Sequence, residues 1–77
     1  MTPKERFYRV VLLINHDEVN HFGPMHIAVS DGNMDDGNLD FIEGEMKNRG
    51  ATAQEWELLN LLRQMHTNER FAAWELA

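Results

Sequence analysis

All three threonines of this chain stand where a helix would begin. Thr2-Pro3-Lys4-Glu5 offers an N-cap hydroxyl, a proline suited to the first helical position and a glutamate three residues on that can close a capping box. Thr52-Ala53-Gln54-Glu55 repeats the box directly after Gly50, a natural stop for a preceding helix. Thr67 precedes Asn68, Glu69 and Arg70, an N-cap with an acid in the first turn. A weaker fourth start is Asp35 or Asp36 ahead of Gly37. Starts this frequent commit the chain to short helices.

Apolar spacing agrees with these starts. Leu58, Leu61, Leu62 and Met65 fall at i, i+3, i+4 and i+7, the stripe of a helix packed on a core. Leu39, Ile42 and Met46 make a narrower stripe that leaves Phe41 on the far side, and Phe71 and Trp74 pair on a short closing helix. Residues 6–14 contain Val10-Val11-Leu12-Leu13-Ile14 and would wrap most of a helix's circumference. A helix of that kind is either central or covered by another chain. A buried strand is the alternative there, and the capping box favours helix.

Between Gly23-Pro24 and Asp31-Gly32-Asn33, the residues Met25, Ile27 and Val29 alternate with His26, Ala28 and Ser30, which is strand period between turn signals. The expected fold is therefore mainly α: one domain over residues 1–77, a bundle of three to four short helices with an extended segment at 25–30. An α+β arrangement, pairing 6–14 with 25–30, is the alternative.

With 77 residues the chain buries only about 60% of its unfolded surface, so extra support is expected. Without cysteine, neither disulfides nor a Cys-based zinc site can supply it, which raises the expectation of a homo-oligomer or a partner. The same absence fits a reducing, cytoplasmic setting, and neither a membrane span nor an export signal is legible.

The net charge of −6 is uneven. No Lys or Arg occurs between Arg9 and Lys47, whereas that interval holds Asp17, Glu18, Asp31, Asp35, Asp36, Asp40, Glu43 and Glu45. Such a surface disfavours direct nucleic-acid contact and favours a basic protein partner or a cation.

Asp36-Gly37, Leu39, Asp40-Phe41 and Glu43 resemble the end of an EF-hand calcium loop, with Asp31, Asn33 and Asp35 as earlier oxygen donors if one residue is inserted before Gly37. Counted without that insertion, the first and third ligand positions fall on Gly32 and Met34, and the incoming helix has no counterpart. A turn leading into a helix N-terminus explains the same acids. His16, Asp17, Glu18, His21 and His26 are a loose cluster; His16 and His21 point about 140° apart on a helix, unlike a zinc-binding pair. His66 is expected near the end of the third helix, complementing its carbonyls.

No nucleophile elbow or phosphate-cradling loop is present, so neither catalysis nor a cofactor is expected. Among Tyr8, Phe41, Trp56 and Trp74, the two lying off their helices' stripes, Phe41 and Trp56, are the better candidates for surface anchors.

The run Gly23-Pro24-Met25-His26-Ile27-Ala28-Val29-Ser30-Asp31-Gly32-Asn33, followed by an acidic helix start and two short helices, resembles small uncharacterised proteins of phages and prophages. The resemblance implies no particular activity or site residue. It raises two expectations: an accessory protein that binds and blocks a host or defence protein, or one that sequesters a nucleotide signal.

The leading expectation is a non-enzymatic interaction module whose acidic middle (Asp31, Asp35, Asp36, Asp40, Glu43, Glu45) contacts a basic partner, anchored by Phe41 or Trp56. The alternatives are a calcium module at Asp31, Asn33, Asp35, Asp36, Asp40 and Glu43, and an oligomeric nucleotide sponge lined by Arg6, Tyr8, Arg9 and His26.

Overall fold

The computed structural model describes residues 1–16 and 21–77. Among these it contains five helices and no strand: α1 Pro3–His16, α2 Pro24–Asp31, α3 Asp36–Arg49, α4 Ala53–Arg63 and α5 Thr67–Leu76. None is long and apolar enough to cross a membrane.

The predicted starts place most boundaries. The Thr2 hydroxyl accepts the Glu5 backbone N–H at 3.1 Å. At α4 the box closes in both directions: the Glu55 N–H donates to the Thr52 hydroxyl at 3.2 Å, and the Thr52 N–H donates to Glu55 Oε2 at 2.6 Å. Asp35 caps α3, its Oδ1 accepting the Asn38 N–H at 2.7 Å. At α5 the cap lies one residue earlier than expected. His66 occupies it, its N–H donating to Glu69 Oε1 at 3.3 Å, while Thr67 is the first helical residue. His66 therefore begins α5 instead of closing α4, because α4 stops at Arg63 and Met65 turns into the core.

Residues 25–30 correct the predicted extended segment, and with it both the count of three to four helices and the β pairing with 6–14. The stretch is α2. Pro24 sits in its first turn, where a missing N–H is harmless. Gly32 takes the left-handed conformation at its end, φ 73°, and lets Gly32 N–H reach the Val29 carbonyl and Asn33 N–H the Ala28 carbonyl. That paired closure is a Schellman stop. The turn signals were helix ends. Once helical, the stretch buries Met25, Ala28 and Val29 at i, i+3 and i+4, and Ile27 faces outward.

The core is assembled from one stripe per helix plus three loop residues. Phe7, Val11 and Ile14 come from α1, Leu39, Ile42 and Met46 from α3, and Leu58, Leu59, Leu61 and Leu62 from α4. Phe22, Met34 and Met65 plug the connections, and Ala73 lets α5 approach closely. Helix α1 packs on α5, α2 and α4, so it is central, as its apolar circumference predicts. It nonetheless leaves Leu13 half exposed.

Two polar groups fasten α5 to the rest. Arg70 is fully buried: its Nε donates to the Leu62 carbonyl at 2.8 Å, and its Nη1 to the Met34 carbonyl at 2.9 Å and to Asp36 Oδ1 at 2.8 Å. Trp74 Nε1 donates to the Val29 carbonyl at 2.7 Å, with its ring lying over Gly32. One arginine thus links α5, the end of α4 and the α2–α3 connection.

Candidate interaction face

The acidic residues singled out from the sequence divide into two groups. Three are matched by cations of the same chain. Asp36 pairs with Arg70 at 2.8 Å, Asp40 with Arg63 at 2.6 Å, and Glu43 with Lys47 at 3.3 Å and Arg63 at 3.8 Å. The others, Asp31, Asp35 and Glu45, are exposed and form no ion pair among the described residues. The acidic field is therefore about half of what a count along the sequence suggests.

The expected calcium ligands do not converge. Asp31 ends α2, Asp35 is engaged at the start of α3, and Asn33 turns its carbonyl to Asn38 Nδ2 at 2.6 Å. Asp36 and Asp40 reach toward arginines on α5 and α4. Among the described residues no three His, Asp or Glu side chains are placed to hold a metal ion. Asp17 and Glu18, part of the expected histidine-containing cluster, lie outside the described residues.

Asp31 and Asn33 do come together with Phe41. They line a shallow groove of about 210 Å³ between α2 and α3, floored by Ala28 and Ile42 and edged by Ile27 and Phe41. Phe41 is 64% exposed and Ile27 58%. Residue scale explains both: each sits opposite the buried stripe of its own helix. Glu45 stands one turn beyond Phe41 on α3, and Asp35 just before the helix. Ile27 is the functional candidate that sequence reasoning missed, because an alternating reading placed it beside Met25 and Val29.

Trp56, the second expected anchor, is half-buried against the core on α4 and does not line this groove. The residues expected for a nucleotide site separate only in part. Arg6 and Arg9 line a groove of about 320 Å³ beside Val10, Leu13 and Phe22, and Arg9 also lines a second one with Tyr8, Lys4 and Leu76. His26 lines neither; it stacks on Phe22 at 6.4 Å, and its buried Nδ1 has no hydrogen-bond partner among the described residues.

Among the described residues, the one carboxyl with a clear shift lies elsewhere. Glu55 is buried, which pushes its pKa up, but the Thr52 N–H, the Arg49 guanidinium at 3.0 Å and the Thr52 hydroxyl outweigh burial and hold it below the ordinary carboxylate range. This is a charge kept ionised for structure. The backbone of Gly23 lies directly on it, so Glu55 joins the starts of α2 and α4.

Compared with protein-family models, curated proteins and solved structures, the chain matches none of them.

Proposed function

We propose that this protein is a non-enzymatic interaction module that covers a basic, apolar-tipped surface of another protein with its α2–α3 face. The observation that carries this reading is the groove edged by Ile27 and Phe41, two large side chains left in water beside the uncompensated carboxylate of Asp31. Large apolar side chains at the edge of a polar surface mark contact sites, and aromatic residues commonly anchor them. Carboxylates around such an anchor favour an approaching cationic segment and disfavour anionic ones. The same geometry suits an accessory protein that blocks a partner by occupying its surface.

Affinity capture from lysate with three baits tests the proposal. Wild type and a Leu76→Ser control are expected to retain the same partner, and Phe41→Ser to lose it. Retention is expected to drop on raising salt from about 50 mM to about 500 mM, where screening shortens to a few ångströms. A captured set unchanged by Phe41→Ser would remove the α2–α3 face from the function.

A further inference from the structure

The chain's cations are as unevenly matched as its acids. Lys47, Arg49, Arg63 and Arg70 each pair with a carboxylate of this chain. Lys4, Arg6 and Arg9 are exposed and form no ion pair among the described residues. All three belong to α1. Arg6, Arg9 and Leu13 follow at i, i+3 and i+7 and so share one edge of the helix. Along that edge runs the groove of about 320 Å³, with Met1 68% and Leu13 49% exposed.

The molecule therefore carries two contact faces of opposite sign. One presents the unmatched Arg6 and Arg9 with Met1 and Leu13, with the single carboxylate of Glu57 across the groove, while Lys4 lies on the other side of α1. The other presents three unmatched carboxylates, Asp31, Asp35 and Glu45, with Ile27 and Phe41. Their grooves share no lining residue, so one copy can use both at once. The α2–α3 face paired with its own copy would set carboxylates against carboxylates, whereas pairing it with the α1 edge matches charge with charge and apolar residue with apolar residue.

We infer that the Arg6–Arg9–Leu13 edge of one copy docks on the Ile27–Phe41 groove of a second copy, giving head-to-tail self-association. The inference rests on reading the α2–α3 face as a binding surface and names a second copy of this chain as an occupant. A heterologous contact of this kind leaves one free face at each end, so assembly proceeds to a closed ring or an open chain. It also makes self-association a competitor of any other partner at the same groove.

Sedimentation velocity on the full chain tests this with two double variants at exposed positions, each first checked for wild-type helicity by circular dichroism. Arg6→Glu with Arg9→Glu reverses the edge, and Ile27→Ser with Phe41→Ser strips the groove. Wild type is expected to gain mass with concentration at low salt and to lose most of it, a roughly tenfold weakening, at about 500 mM salt. Each double variant alone is expected to stay monomeric. Their equimolar mixture is expected to form a heterodimer and stop there, since only one intact pair of faces remains. A wild type monomeric at every concentration would overturn the inference. So would a mixture that stays monomeric, or association that only one of the two variants abolishes. A monomeric wild type that still captures a partner through Phe41 would end the self-association while leaving the proposed function standing.

Discussion

Arg70 shows at the scale of one residue how a small chain can hold itself together without disulfides. Its guanidinium satisfies the Leu62 and Met34 carbonyls from inside the core, and a truncated side chain would leave both without that donor. Arg70→Ala is expected to cost about 3–5 kcal/mol, a large share of the stability of a domain this size, read as a lowered midpoint in urea unfolding. Asp36→Asn, which alters only the exposed end of the same network, is expected to change the midpoint by less than about 1 kcal/mol. Two glycines offer an opposed pair. At Gly23, with φ 56°, a Cβ would lie 1.9 Å from Glu55 Oε1, so Gly23→Ala is expected to destabilise by about 2 kcal/mol or more. At Gly44, in mid-helix, a Cβ meets nothing within 4 Å, and Gly44→Ala is expected to stabilise by about 0.5–1 kcal/mol. Thermal melts of the two variants should move in opposite directions.

At the scale of elements, the start of α4 carries the pH dependence that can be assigned. Glu55 is held below its ordinary pKa when folded, so its contribution is fully present above the unfolded value and is lost as pH falls through the folded one. Glu55→Gln is expected to lower stability at neutral pH, by about 1–2 kcal/mol for the weakened box and ion pair, and to flatten the acid side of the stability profile. Melting temperatures from neutral pH downward check this: parallel wild-type and variant curves would mean that Glu55 does not carry the dependence. The boundaries of α1, α3 and α4 were legible because a cap involves residues three apart. Helix α2 was misread for an equally local reason. Met25, Ile27 and Val29 satisfy strand period, while Met25, Ala28 and Val29 satisfy helix period, and six residues cannot separate the two. What decides is the side on which the core lies, which the segment does not contain.

For the whole molecule, α1 is the centre and α5 its main neighbour, joined through Ala73 and anchored by Arg70 and Trp74. Removing residues 67–77 is expected to unfold the remainder and not merely shorten it, with far-UV circular dichroism falling well beyond the share of one helix. Retention of the other helices' signal would show that α5 is an appendage. By itself the sequence determined the helical class, three of the five caps, the stripes of α3 and α4, and the outward position of Phe41. These are set by neighbours within one or two turns, where propensity and periodicity act. The tertiary structure decided which acids stay unmatched, that Ile27 joins Phe41 while Trp56 does not, and that Glu55 and Arg70 are buried. Arg70 meets Met34 across 36 residues of chain. Contacts at that separation depend on how the helices pack, and a linear count of charges treats Asp36 and Asp31 alike although only one of them has a cation beside it.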